Sequence, residues 1–388
     1  AILFRQETIL FLILVVGVLL MSTLSDVFLT TDNLLNQGRL ATEIALIALP
    51  MTLIIITGGI DLSVGSIAGL TAIMLGVAWH NWGLPLEAAI FVALVIATAC
   101  GAFNAFFITK IGLPPLITTL ATLALFRGLA EGIAQGRSVR GYPDWFFILG
   151  QKDFDFFGLA NVPNQLFLVV ISITIIGAAL AWTPFGRSLY AIGNNETGAR
   201  FSGMPVVRNK FAIYTLSGFM AGLAGWVFVS RVSTTRQDMG TGWELTAITA
   251  VVVGGTSIFG GSGTIIGTVL GLMLIQLMRN GLALAGAKGD ATTIVVGLVL
   301  IGAVLINTLI TTLATLALFR GLAEGIAQGR SVRGYPDWFF ILGQKDFDFF
   351  GLASVHNQLF LVVLSIILVV AALAWTPFGR SLYAIGNN

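Results

Sequence analysis

The chain is a succession of apolar runs separated by short polar segments. A helix needs about 20 mostly apolar residues to cross the hydrocarbon core of a bilayer. Runs near that length recur throughout, so the pattern predicts an all-α, polytopic helical membrane protein with about ten spans and two more near its end. The predicted spans are 8–25, 41–57, 64–79, 87–109, 116–134, 163–184, 211–230, 243–258, 264–284, 291–306, 309–327 and 357–377.

Glycine interrupts this pattern and also recurs within it. The pairs Gly58-Gly59 and Gly254-Gly255 break apolar runs, which predicts broken or half helices there. Small residues also fall four positions apart, a spacing that lets helix backbones approach closely in lipid. We therefore predict helix packing along two small-residue faces, formed by Gly263, Gly267 and Gly271 and by Ser217, Ala221 and Gly225.

Composition agrees with a membrane protein and excludes other classes. Charged residues make up 10% of the chain, whereas a soluble domain carries about 25%. The net charge of +2 is too small to indicate nucleic-acid binding, and a single cysteine, Cys100, excludes a disulfide framework. There is no G-x-x-x-x-G-K-[ST] motif, and the two histidines, His80 and His356, lie in different loops without carboxylate clusters. We predict no catalytic residues, no metal site and no cofactor bound by this chain.

Basic residues predict the orientation of the chain in the membrane. The loop between residues 185 and 210 carries Arg187, Arg200, Arg208 and Lys210 against one acid, Glu196, which places it in the cytoplasm. Six spans precede it, so the N-terminus is predicted to be cytoplasmic too. The loop at 135–160 balances its basic residues with acids and is rich in aromatic residues, as expected for an outer interface.

The last part of the chain repeats an earlier part. Residues 309–388 match residues 116–195 at a constant offset of 193, with 73 of 80 positions identical. Architectural repeats in transporters are diverged and cover half of the fold, whereas this one is nearly verbatim and covers two spans. We therefore predict two domains, a transmembrane permease domain at 1–306 and a duplicated copy of 116–195 at 307–388, which is either a peripheral appendage or an artefact of recombination or sequence assembly.

Polar residues inside the apolar runs have two interpretations. Asp61, Ser63 and Ser66 lie in the run G-G-I-D-L-S-V-G-S, where they either border a transport path or cap the helix that begins near Leu62. Asn104, Thr118, Thr119 and Thr122 either hydrate a path or, for the threonines, bond to their own helix backbone. Arg127 and Glu131, four apart, are predicted to pair near the outer interface.

The cytoplasmic loop contains a short helix with clear boundary signals. Asn195 is a favourable N-cap residue, Glu196 suits the positive helix start, and Gly203 followed by Pro205 ends the helix. The sequence therefore predicts a two-turn helix on the cytoplasmic face, either a simple connector or a docking element.

Four motifs resemble the permease subunits of bacterial ABC sugar importers of the ribose, xylose, rhamnose and autoinducer-2 group. They are G-G-I-D-L-S-V-G-S, P-P-L-I-T-T-L-A-T-L-A-L-F-R-G, G-R-S-L-Y-A-I-G-N-N-E-T-G-A-R-F-S-G and V-V-V-G-G-T-S-I-F-G-G-S-G-T. The resemblance covers residues 1–306 in order, and the duplicated tail is foreign to it. The stretch Gln237–Leu245 looks most like the rhamnose-type branch.

The resemblance implies a permease of the bacterial inner membrane with several partners. It would pair with a second permease copy or a sister subunit, receive substrate from a periplasmic sugar-binding protein, and dock two ATPase subunits that bind ATP and Mg. The segment Gly193–Gly203 resembles the coupling helix of such permeases, and the implied coupling residues are Asn195, Glu196, Ala199, Arg200 and Gly203.

The competing hypothesis is a secondary transporter driven by an ion gradient. Such a transporter would use intramembrane carboxylates or histidines as relays, and few candidates beyond Asp61 are present. A membrane scaffold without transport activity would not need the framed cytoplasmic helix.

Overall fold

The computed structural model describes residues 6–156, 160–284, 346–349 and 353–356. The chain divides into two compact units, residues 1–312 and 313–388. The helices described in the first unit are α1 Gln6–Leu24, α2 Thr31–Ile56, α3 Val64–His80, α4 Leu86–Phe106 with a π-helical extension Phe107–Ile111, α5 Pro115–Ala134, α6 Asn164–Trp182, α7 Pro184–Asn194, α8 Glu196–Phe201, α9 Val206–Val232, α10 Trp243–Val253 and α11 Ile265–Leu284. A 3-10 turn, Asp144–Ile148, and the hairpin of β1 Asp153–Phe156 and β2 Ala160–Pro163 lie between α5 and α6.

Most of the predicted spans correspond to helices. Six helices of the described residues are long and apolar enough to cross a membrane, namely α2, α4 with its extension, α5, α6, α9 and α11, while α1, α3 and α10 are shorter apolar helices. The predicted spans at 291–306, 309–327 and 357–377 lie outside the described residues. The span predicted at 243–258 is a half helix, because α10 ends at Val253 and Gly255 adopts a left-handed φ of 92°.

The middle of the first unit is α2, whose residues from Thr42 to Ile56 are all buried. Helix α9 packs against α2, α3 and α4. Glycine residues allow the backbone of α9 to approach those of α3 and α4 closely. A methyl group on Gly101 of α4 would lie 2.5 Å from the Tyr214 carbonyl oxygen, and one on Gly225 of α9 would lie 2.6 Å from that of Ala68. Such close approach provides van der Waals contact where lipid supplies no hydrophobic drive between helices.

Two of the three glycines of the predicted face of α11 lie in close contact with the backbone of a neighbouring segment. Gly267 and Gly271 lie so close to α10 that added methyl groups would overlap the carbonyl oxygens of Gly254 and Ala250. Gly263 is not on this face, because α11 begins only at Ile265. Gly263 instead has a φ of 155° and packs against the Thr256 side chain.

The duplicated sequence forms the same hairpin twice. In the first unit Asp153 pairs with Pro163 in the antiparallel strands β1 and β2. In the second unit, β3 Asp346–Phe349 and β4 Ala353–His356 pair in the same register, with Asp346 opposite His356. The register survives the change of Pro163 to histidine in the copy, so it is set by the residues that the two copies share.

A buried ion pair joins the two central helices. Arg231 of α9 donates through Nε to Glu43 Oε1 of α2 at 2.8 Å, and the Glu43 side chain is only 2% exposed. The guanidinium also stacks 4.9 Å from the Phe228 ring centroid. Removing one member of a buried pair leaves an uncompensated charge, which costs about 3–5 kcal/mol.

We therefore expect Arg231→Met to lower the thermal unfolding midpoint of the detergent-purified protein, with a loss of about 3 kcal/mol. The double variant Glu43→Gln with Arg231→Met, which has no unpaired charge, should regain most of that loss. A single variant as stable as the parent, or a double variant less stable than Arg231→Met, would show that the pair does not hold α2 to α9.

Candidate functional site

The short helix predicted after Asn195 is present as α8, and its boundaries follow from local chemistry. Asn195 Oδ1 accepts from the Gly198 N–H at 2.8 Å, as an N-cap residue does. At the other end the Gly203 N–H donates to the Arg200 carbonyl at 3.1 Å, and Gly203 has a left-handed φ of 79°. These contacts end the helix after Phe201 and direct the chain towards α9.

One side of α8 is anchored to the rest of the protein. Ala199 is buried against Ile192 and Val206. Glu196 accepts a hydrogen bond from Lys210 of α9 and forms an ion pair with Arg200 one turn later, at 3.5 Å. The opposite side is open, since Phe201 is 88% exposed. The helix therefore has a fixed base and presents an exposed aromatic side chain.

The residues just before α8 touch two other elements through their backbones. A methyl group on Gly193 would overlap the Ile56 carbonyl oxygen at the end of α2, and the Gly261 N–H donates to the same oxygen at 2.8 Å. Gly261 lies in the loop between α10 and α11 and packs on Asn194. We call this meeting point of residues 56, 193 and 261 the glycine junction.

Tyr190 joins α7 to the same loop by a hydrogen bond. Its hydroxyl donates to the Gly263 carbonyl at 2.7 Å. Burial raises the pKa of the Tyr190 phenol, so the group remains a donor at neutral pH. Contacts therefore join the C-terminal half of α7 to the end of α2 and to the loop between α10 and α11.

The run that follows α2 folds around the Asp61 carboxylate, which is fully buried. Asp61 Oδ1 accepts from the Ser63 N–H at 3.0 Å and the Ser63 hydroxyl at 2.6 Å, while Oδ2 accepts from the Ser217 hydroxyl at 2.9 Å. Asn104 Nδ2 donates to the Ser63 hydroxyl at 2.8 Å. Ser63 is the N-cap residue of α3 but makes no side-chain capping bond, so the polar groups here join α3, α4 and α9.

The other polar candidates bond mainly to backbone oxygens. Ser66 donates to the Ser63 carbonyl at 2.7 Å, Thr118 to that of Pro114 at 3.1 Å, and Thr122 to that of Thr118 at 3.1 Å. Thr119 differs, because its hydroxyl reaches the Ile60 carbonyl in the neighbouring segment at 3.2 Å. All four are at most 5% exposed, so none is open to a solute in this conformation.

The predicted pairing of Arg127 with Glu131 is wrong. The Arg127 guanidinium points away from its own helix and donates to the Gln237 carbonyl at 2.7 Å and the Met239 carbonyl at 2.9 Å. Glu131 is exposed and belongs to none of the ion pairs among the described residues. Sequence spacing alone did not reveal these partners, because residues 237 and 239 lie more than 100 positions away.

Comparisons with known proteins match the greater part of the chain. The family model described as "Branched-chain amino acid transport system / permease component" matches residues 33–304. The autoinducer 2 import system permease protein LsrD of Photorhabdus luminescens is 36% identical over 298 residues, covering 75% of this chain and 88% of that protein. The ribose import permease protein RbsC of Bacillus subtilis strain 168 is 39% identical over 301 residues, covering 76% and 91%. RbsC of Escherichia coli K12 is 36% identical over 310 residues, covering 79% and 94%.

The glycine junction predicts an asymmetry between two glycine-to-alanine variants. In Gly193→Ala the new methyl group forces α7 away from Ile56, an overpacking cost of about 1–3 kcal/mol. In Gly128→Ala the methyl group points from exposed α5 into open space, and helix propensity adds up to about 1 kcal/mol of stability.

Thermal unfolding of the two purified variants measures this difference. Gly193→Ala should melt below the parent chain and Gly128→Ala at or above it. Equal melting temperatures for the two variants would refute a close-packed junction at residue 193.

Proposed function

The chain belongs to the family described as the permease component of branched-chain amino acid transport systems, and from this premise we propose that it is the membrane permease of an ATP-binding-cassette importer for a sugar-type solute. Its relatives are named as ribose and autoinducer-2 import permeases. They are transport components, and ATP would be hydrolysed, with Mg, by a separate partner. The observation that carries the proposal is α8, whose anchored base and exposed Phe201 suit a docking element.

The proposed transporter contains four kinds of component. This permease pairs with a second copy or a sister subunit in the bacterial inner membrane, and two ATPase subunits dock on its cytoplasmic side. A periplasmic sugar-binding protein delivers the solute from the other side. The proposed N-terminus is cytoplasmic, which puts α8 and the glycine junction on the side where the ATPase binds.

Energy transfer then follows the contacts around α8. An ATPase that moves α8 also moves the C-terminal end of α7, to which Asn195 directly connects it. The Ile56 and Gly261 backbones are in contact there, so the ends of α2 and of the α10–α11 loop move with it. Because the end of α2 leads into the Asp61 cluster, the motion also reaches the non-helical segment between α2 and α3.

Of the path residues predicted from the sequence, we retain four as proposed contacts of the solute. Asp61, Ser63, Asn104 and Thr119 are buried and hydrogen-bonded to one another or to backbone. They would contact a solute only in a conformation in which α3, α4, α5 and α9 separate. For the solute itself we propose a monosaccharide or similar polyol, and the Gln237–Leu245 stretch favours a rhamnose-type sugar.

The proposed function is tested by uptake into proteoliposomes that contain the permease and the co-expressed ATPase. We expect ATP-dependent accumulation of labelled ribose or rhamnose when the matching binding protein is present, and a chain ending at residue 306 should transport equally well. Uptake driven by an ion gradient without ATP would contradict the proposal. Loss of transport on truncation would contradict only the peripheral role of residues 307–388.

Docking through α8 predicts a specific effect of Phe201→Asp. A buried aromatic anchor at an interface contributes about 2 kcal/mol or more, so the permease should hold the ATPase about thirtyfold more weakly. ATPase retained on immobilised permease measures the effect. Trp182→Ala is the matched control, since Trp182 is 80% exposed at the end of α6 but not on α8. Equal retention by the two variants would exclude Phe201 from the docking surface.

A further inference from the structure

Residues 233–242, between α9 and α10, form a non-helical segment that runs alongside α3. Near the end of α3, a methyl group on Gly76 would lie 3.1 Å from Thr235 Oγ1. Further along, one on Gly69 would lie 2.7 Å from the Met239 carbonyl oxygen, and one on Gly65 would overlap that of Gly240. Since a helix rises 1.5 Å per residue, Gly240 lies roughly 22 Å from the His80 end of α3. A bilayer core is about 30 Å thick, so the segment reaches membrane depth.

One side of this segment is firmly bound to protein. Arg127 of α5 donates to the Gln237 and Met239 carbonyls, and the Val139 N–H donates to Thr235 Oγ1 at 3.0 Å. At the deep end Glu244 Oε1 accepts from the Gly242 N–H at 3.2 Å. The bonds of Arg127 and Glu244 satisfy three backbone groups of this non-helical segment.

The other side is open and polar. The side chains of Arg236, Asp238 and Thr241 are exposed, and Glu244 is partly exposed. Many of the exposed residues on other helices are apolar, for example Val95 on α4 and Ile175 on α6. Non-helical backbone at membrane depth occurs only where it is covered by protein or lines a water-filled cavity, and exposed charges there avoid lipid for the same reason.

We propose that residues 235–244 form a wall of the water-filled path, with Asp238, Thr241 and Glu244 offering hydrogen bonds to the hydroxyl groups of a neutral polyhydroxylated solute. The proposal rests on the transport function proposed above. It assigns Arg127 as a positioning residue, because its two bonds hold the wall against α5. The fully buried Asp61 cluster then supports the start of α3 behind this wall.

The experiment measures water access and does not require transport. The only cysteine, Cys100, is buried and is replaced by alanine. Single cysteines are then placed at Asp238, Thr241 and Ile175 in the assembled complex in membranes, and a charged methanethiosulfonate reagent is applied. Because the thiolate is the reacting form, Thr241→Cys and Asp238→Cys should react about tenfold or more faster than Ile175→Cys, which faces lipid.

Each outcome is decisive, since reactivity is independent of whether any sugar is carried. If Thr241→Cys reacts as slowly as Ile175→Cys while Asp238→Cys reacts fast, the deep end of the segment is not water-lined and the proposal fails. If both react slowly, the face is covered by another protein chain and the proposal also fails. Fast labelling of both in a complex that transports no sugar would refute the proposed solute and retain the water-lined wall. Trp82→Cys, on an exposed loop residue, verifies that the reagent is active.

Discussion

Contact between backbones at glycine is the constraint on which the rest of this structure depends. Lipid gives helices no hydrophobic reason to associate, so they are held by close packing and internal hydrogen bonds. Such contacts occur, for example, between α4 and α9, between α10 and α11, and at the junction of residues 56, 193 and 261. The first two hold the core together. The third joins the segment that leads into α8 to the core.

Buried charge is handled in two different ways within this core. Glu43 is neutralised by Arg231 across α2 and α9, an arrangement that is sensitive to loss of either partner. Asp61 has neutral partners instead, the hydroxyls of Ser63 and Ser217 and the Ser63 N–H. Hydroxyl groups can reorient as donors or acceptors, so this cluster can accommodate a change in the relative positions of α3 and α9 at lower cost than an ion pair.

The sequence predicted most of the helices and the framing of α8, because both depend on short-range patterns. Apolar runs of span length became helices, and Asn195 and Gly203 define the limits of α8 as the capping rules require. The failures depend on residues distant in sequence. Arg127 was assigned to Glu131 because spacing reports only neighbours on one helix, whereas its carbonyl partners come from residues 237 and 239. Gly263 was placed on a helix because a four-residue period cannot locate the first helical turn.

The duplicated segment separates local from long-range determinants within a single chain. Its hairpin has the register of the original, as expected when strand pairing depends on the few residues between the strands. Two polar residues of α5, by contrast, have partners that are distant in sequence. Arg320 occupies the position in the repeat that corresponds to Arg127. Residues 237 and 239, whose carbonyls accept hydrogen bonds from Arg127, lie outside the repeated segment and have no second copy. The Thr119 partner at residue 60 is likewise present once. The partners that position Thr119 and Arg127 of α5 therefore come from outside the repeated 80 residues.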